Sequence, residues 1–286
     1  MKNIYSLIVV SFLVGCGGSG GGDDVSTDTE QNIPQIDNNI NGSLRVYNHA
    51  YNENFDADKV SDIIKEAEDS YILLDSFNGD VTSDDISKMI ANNNQVSGYI
   101  SIGTGEDWRD DYNKMTPYLV TKSWDEWQGE YFIKEISNEL IDIMKKRIDK
   151  MSELGIKWVE FDNMDWADDD TILNKYGSLV TKEQSIEYYN ELCDYLHQKD
   201  MKCMAKSTVE GASNFDGVTY ESYDNKKNWW DVDGAKSFLD SNKLVIVNHY
   251  NEINCDDVYK EYQDLYNSKN ISFICEDVAT KKYIHY

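Results

Sequence analysis

Apolar positions along this chain fall into short runs, with stretches of helical spacing between most of them. Eight runs rich in Val, Ile, Leu, Phe and Tyr read as strands: 44–48 (LRVYN), 71–75 (YILLD), 96–102 (VSGYISI), 157–162 (KWVEFD), 202–206 (KCMAK), 217–221 (GVTYE), 243–248 (KLVIVN) and 271–276 (ISFICE). They are too short for independent helices and are rich in strand formers. Over 138–154, Leu140, Met144, Ile148, Met151 and Leu154 lie on one helical stripe, and Gly155 stands where a C-terminal cap belongs. Thr181–Gln184 (TKEQ) reads as a capping box that opens a helix turning Ile186, Tyr189, Leu192, Cys193 and Leu196 inward.

Strands alternating with helices imply parallel pairing, because a parallel neighbour is reached only through a crossover. Eight such units in roughly 240 residues predict an α/β protein, a single-domain (β/α)₈ TIM barrel over 44–286. A doubly wound open sheet is the alternative. In a barrel, alternate side chains face the axis and the helix layer. Glu160 and Asp162 would then face the axis and Val159 and Phe161 the helices, with Asp162 at the C-terminal rim where this fold carries its chemistry.

The ends of the chain differ from its middle. Residues 1–15 hold one lysine and then an apolar run too short to remain as a membrane span, followed by Leu13–Cys16 (LVGC). This pattern predicts a lipoprotein signal peptide cleaved before Cys16, which becomes the lipidated first residue. Residues 16–43, poor in apolar side chains, then form a flexible tether. The expected location is outside the cytoplasm, on a bacterial membrane through the lipid anchor only.

Acids outnumber bases 53 to 27, and removal of residues 1–15 leaves a net charge of −27. Such a surface repels nucleic acid and anionic lipid and attracts cations. Beyond Cys16, Cys193, Cys203, Cys255 and Cys275 lack CxxC spacing. They predict no metal cluster and leave open three disulfide pairings or buried thiols. No HxH or HExxH pattern suggests a zinc hydrolase, and Asp165–Asp170 (DWADDD) lacks the regular ligand spacing of a calcium loop. No cofactor is expected.

Many predicted strands end in polar groups that a barrel would gather at one mouth. Asp75, Asp162, Lys206 and Glu221 close strands, Asn248, His249 and Tyr250 follow one, and GTGEDWRDD follows the third. Six of the seven tryptophans lie in segments after strands three, four and six, where loops ordinarily avoid indole. Aromatic faces in a groove suit sugar rings, so Trp108, Trp127, Trp166, Tyr223 and Trp229 are candidate stacking groups. Rim carboxylates with aromatic walls predict glycoside hydrolysis, which needs two carboxyl groups flanking the scissile bond. Asp162 and Glu221 are that pair. Glu160 sits one layer deeper and is expected to pair with Lys206.

GYISIGTGEDWRDD, WDEWQGEYF, GIKWVEFDNMD, MAKST and GVTYESYD occur in the order of glycoside hydrolase family 114, which these motifs resemble over about 71–250. The resemblance implies the barrel fold and an endo-α-1,4-polygalactosaminidase-like cleavage of galactosamine-containing polysaccharide. It places the catalytic aspartate on Asp162 and the catalytic glutamate on Glu221. Asp75, Glu106, Glu130 and Lys206 match its cleft-lining polar positions, and Asp165, His249 and Tyr250 complete the expected substrate-binding set. Phe161, Lys134, Ser222 and Tyr223 depart from the family's usual residues. A cationic amino-sugar polymer is thus the expected partner. The competing class is a non-catalytic polysaccharide-binding lipoprotein on the same barrel.

Overall fold

The computed structural model describes residues 45–48, 60–77, 81–222, 231–252, 255–261, 263, 270–277 and 282–285. The segments expected to form the export signal and tether lie outside them. The elements run β1 (Arg45–Asn48), α1 (Val60–Glu66), β2 (Ser70–Leu74), α2 (Ser83–Ala91), β3 (Gln95–Ser101), β4 (Thr104–Glu106), α3 (Tyr112–Met115), β5 (Glu130–Phe132), α4 (Asn138–Leu154) and β6 (Trp158–Asp162). They continue through α5 (Asp170–Tyr176), α6 (Lys182–His197), β7 (Lys202–Lys206), β8 (Gly217–Ser222), α7 (Val232–Asp240), β9 (Leu244–Glu252), α8 (Cys255–Glu261), β10 (Ile271–Asp277) and β11 (Lys282–His285).

Strands β1, β2, β3, β6, β7, β8, β9 and β10 pair in that order, each parallel to the next, and β11 adds an antiparallel edge to β10. β1 also touches β10, so the eight parallel strands make a nearly closed (β/α)₈ barrel. Each of the eight segments expected from the apolar runs is one of these strands. The short antiparallel ribbon of β4 and β5 was not legible, since three residues per strand show no periodicity.

Alternation divides the core in two. Val46, Tyr71, Leu73, Tyr99, Trp158, Met204, Leu244, Ile246 and Ile274 pack inside the barrel. Val159, Phe161, Cys203, Ala205, Val218, Tyr220, Val245, Val247 and Phe273 join the layer between sheet and helices. Leu140, Met144, Ile148 and Met151 of α4 are fully buried there, each contributing about 2 kcal/mol of hydrophobic stabilisation. Ser137 caps that helix by accepting from the Leu140 N–H, and Gly155 ends it at φ 92°, a left-handed turn that glycine adopts without strain. Thr181 and Gln184 form the expected capping box of α6.

Disulfides join Cys193 to Cys203 and Cys255 to Cys275. The first ties α6 to β7 and the second ties α8 to β10.

Candidate active site

At the C-terminal end of the barrel, side chains from β3, β6, β7, β8 and β9 converge. β6 turns Trp158, Glu160 and Asp162 inward, and β3 lies beside it with Tyr99 opposite Glu160 and Ser101 opposite Asp162. Asp162 Oδ2 accepts a 2.8 Å hydrogen bond from the Tyr99 hydroxyl. On the far side, Glu221 of β8 accepts a 2.8 Å bond at Oε1 from the hydroxyl of Tyr250 on β9. Deeper in, Glu160 Oε2 accepts from the Thr219 hydroxyl at 2.8 Å.

Lys206, at the end of β7, stands among all three acids. Its Nζ is 3.1 Å from Glu221 Oε2, 3.3 Å from Glu160 Oε1 and 3.4 Å from Asp162 Oδ1. Asp162 and Glu221 therefore reach the same ammonium from two strands, and these two oxygens are at most about 6.5 Å apart, a bound that admits the separation of about 5–5.5 Å found in retaining enzymes. One positive charge balances one negative charge, so three ionised carboxylates here would repel each other. Burial pushes the Glu160 carboxyl up to about 7, with Glu221 and Asp162 adding to the rise against Lys206 and Thr219. Burial raises the Glu221 carboxyl too; the Asp162 charge adds to it, while Lys206 and the Tyr250 hydrogen bond oppose it.

One wall of the mouth is built differently. Arg109 donates to Asp75 through Nη1, at 2.7 and 2.9 Å. It donates to Glu106 through Nε and Nη2, both at 2.8 Å. Such forks hold planar carboxylates in fixed geometry. Arg147, buried on α4, braces the same wall through Asp111. On the β4–β5 ribbon, Glu130 accepts from the Thr104 hydroxyl at 2.8 Å, Thr104 touches the Ser101 hydroxyl at 2.6 Å, and Asn163 Nδ2 donates to Ser101 at 2.9 Å. Burial, then the nearby Glu106 charge, pushes the Glu130 carboxyl up to about 8 against the pull of Thr104 and Arg109.

The loop after Asp162 leaves the strand through Asn163, whose φ of 55° is left-handed, a region asparagine tolerates better than most residues. It crosses Gly103 so closely that a Cβ there would stand 2.1 Å from the Asn163 carbonyl oxygen. Asp165 is an exposed residue of this loop, and partial loss of hydration, with repulsion from Asp162, Asp168 and Asp169, raises its carboxyl above the ordinary value.

The expected site residues thus sort by position. Asp162, Glu221, Lys206 and Tyr250 meet at the centre, and Asp75 lies at the wall beside them. Glu106 and Glu130 are nearly sealed, at 2% and 6% exposure, and Glu106 gives both oxygens to Arg109 rather than to the open mouth. Trp108 and Trp127 are exposed, at 52% and 39%, near the outer end of the β4–β5 ribbon. Gly129 leaves room for Trp108, since a Cβ there would meet the indole at 2.9 Å.

Two assignments need correction. Trp166 is not a rim stacking group: it is fully buried, packs edge-on against Tyr188 and donates its indole N–H to the Ile133 carbonyl. The loop folds back under itself, and burial of the indole is worth more than its display. His249 does not line the crevice either. It is buried in the outer layer edge-on against Phe273, because Leu244, Ile246 and Tyr250 take the inward parity of β9. Tyr223, Trp229 and Cys16 lie outside the described residues.

Tyr99, Thr104, Arg109, Asn163 and Thr219 hold the site together and were missed. Tyr99 shares strand parity with Ser101, so alternation alone could have found it. Arg109 is one of three arginines in the chain and sits inside an acidic run, a weaker signal.

The model of glycoside-hydrolase family GH114 matches residues 48–286. Among solved structures, Ega3 of Aspergillus fumigatus in complex with galactosamine is similar with a TM-score of 0.66 at 19% identity, covering 86% of this chain and 96% of that one. The glycoside hydrolase domain of PelA from Pseudomonas aeruginosa gives a TM-score of 0.54 at 12% identity, over 85% of this chain and 97% of that one. At these identities the likeness is one of fold. Among curated proteins, an uncharacterized protein of Thermotoga maritima is 24% identical over 132 residues, and the uncharacterized protein MJ1477 of Methanocaldococcus jannaschii is 28% identical over 130 residues. Each match covers 43% of this chain, and the chain spans 40% and 36% of those relatives' lengths.

Proposed function

The chain belongs to glycoside-hydrolase family GH114, and on that premise we propose that it hydrolyses an α-1,4-linked galactosamine-containing polysaccharide with Asp162 as nucleophile and Glu221 as acid and base. The observation that carries this reading is the convergence of Asp162 and Glu221 on one Lys206 ammonium. The raised Glu221 carboxyl suits a proton donor, and Asp162 is held in place by the Tyr99 hydroxyl and Lys206.

In the first step Glu221 gives its proton to the glycosidic oxygen. An Asp162 oxygen bonds to the anomeric carbon as the carbon–oxygen bond breaks, and that electron pair stays with the leaving sugar's hydroxyl. In the second step water attacks the same carbon, Glu221 takes its proton, and Asp162 leaves as carboxylate. Two displacements retain the anomeric configuration. Glu160, beneath the pair, tunes Lys206 and does not contact sugar.

The chain's net charge of −26 supports a cationic polymer, whose free amino groups would be drawn toward the barrel. Ega3 was solved with galactosamine, which supports the same sugar. The LVGC pattern at Cys16 supports export and a lipid anchor, with the catalytic barrel held near the membrane by the tether.

The test is release of reducing ends from partly deacetylated galactosaminoglycan by wild type, Asp162→Asn and Glu221→Gln. Turnover by wild type alone, with the α-anomer formed first by proton NMR, supports the proposal. If all three bind the polymer equally and none releases reducing ends, the chain is a binding protein and the reading fails.

A further inference from the structure

Away from the barrel mouth, a second cluster of chemically capable side chains spans α6, β7 and the turn before β8. Cys193 and His197 lie one helical turn apart on α6, Cys203 is on β7, and Asp216 immediately precedes β8. His197 Nε2 is 3.8 Å from Cys193 Sγ, 3.9 Å from Cys203 Sγ and 2.9 Å from Asp216 Oδ2. Asp216 Oδ2 lies 3.7 Å from Cys203 Sγ and also accepts from the Cys203 backbone N–H at 2.9 Å.

We propose that reduction of the Cys193–Cys203 disulfide converts this cluster into a Zn²⁺ site with Cys193, Cys203, His197 and Asp216 as the four donors. A tetrahedral zinc ion, with sulfur ligands at about 2.3 Å and nitrogen or oxygen ligands at about 2.0–2.2 Å, sets its donors roughly 3.3–3.8 Å apart. The sulfur–nitrogen and sulfur–oxygen spacings are already close to that range. The cysteines are fully buried, while His197 and Asp216 are partly exposed, which gives an ion a route in from solvent. Asn214 adds a carbonyl 3.8 Å from Cys193 Sγ, an acceptor for the S–H of the reduced thiol before an ion binds.

The chemistry balances with a dithiol as reductant. The disulfide accepts two electrons and two protons from the dithiol, which itself becomes a disulfide. Zn²⁺ then displaces both thiol protons and the proton between His197 and Asp216. Two thiolates, one carboxylate and a neutral imidazole leave the filled site with one net negative charge. The absence of CxxC spacing hid the set: two donors meet by helical periodicity and two by strand neighbourhood. The Cys255–Cys275 pair serves as an internal control for simple thiol binding.

The experiment uses the full chain, reduced with a dithiol and freed of it under inert gas, then titrated with Co²⁺ and with Zn²⁺ in competition. The expected result is one equivalent of Co²⁺ with sulfur-to-cobalt charge-transfer bands and intense tetrahedral d–d absorption, displaced by Zn²⁺. The oxidised chain should bind neither ion at this site. His197→Ala and Asp216→Asn, both at partly exposed positions, should each weaken Zn²⁺ binding by ~10-fold or more, and Cys193→Ser with Cys203→Ser should abolish it. Cys255→Ser with Cys275→Ser should leave it unchanged. Absence of stoichiometric thiolate–cobalt bands in the reduced wild type, or binding that survives the Cys193 and Cys203 substitutions, overturns the proposal.

Discussion

Two acid clusters share one rim of this barrel, and they are neutralised in opposite ways. Around Arg109, a planar cation forks to Asp75 and Glu106 with four hydrogen bonds between 2.7 and 2.9 Å. Around Lys206, a compact ammonium is shared among Glu160, Asp162 and Glu221 at 3.1–3.4 Å. A fork matches its carboxylates and fixes their orientation. A single point charge facing three acids leaves them competing for protons. The first arrangement makes a wall; the second leaves Glu160 and Glu221 with raised carboxyls, as the proposed proton donor requires.

The sharpest way to break that contrast is at the centre. Asp162→Asn and Glu221→Gln should each lower turnover on the polymer by ~10³-fold or more, while circular dichroism and melting stay near wild type. Substituting Lys206→Met removes the shared ammonium. Turnover should fall ~100-fold, and urea titration should show a loss of about 3 kcal/mol at pH 8, where the abandoned carboxylates are driven to ionise. Arg109→Lys keeps the wall's charge but loses the fork, so melting should drop while most of the turnover remains.

Glu130 offers a stability test with a defined sign. Its folded value of about 8 exceeds the ordinary carboxyl value of 4.5, so between those limits the folded state holds a proton that the unfolded state has lost. Stability should therefore decline as pH rises from about 5 to about 8, by up to a few kcal/mol. Glu130→Gln, which keeps a neutral polar group, should flatten that decline in urea melts. An unchanged slope would mean that Glu130 is ionised in the folded chain. The smallest effect is expected at the outer tryptophans. Trp108→Ala and Trp127→Ala should raise KM for long chains about 3–10-fold, with kcat and melting temperature nearly unaltered, in steady-state assays of long and short oligomers.

Much of the centre was legible because alternation along a strand is strict. Once Val159 and Phe161 face the helices, Glu160 and Asp162 must face the axis, and Lys206 and Glu221 follow from neighbouring strands. The same parity counts His249 out of the crevice and Tyr250 into it, a deduction the run KLVIVNHY already contained. Loops obey no such rule. Nothing in the spacing of Trp166 distinguishes an indole displayed at the rim from one folded beneath its loop, and the reach of Arg109 to Asp75 depends on tertiary approach. Three-residue strands such as β4 and β5 are likewise too short to leave a periodic trace, although they position Glu130.

Gly103 has a consequence for engineering. The segment that follows Asp162 rests on a position with no side chain, just after β3, the strand that pairs with β6. Anyone transplanting that segment to alter which sugar is accepted would have to carry residue 103 with it, because any recipient bearing even a methyl group there would push the incoming backbone away from its seat. The graft and its footing form a single module, though sixty residues of chain separate them.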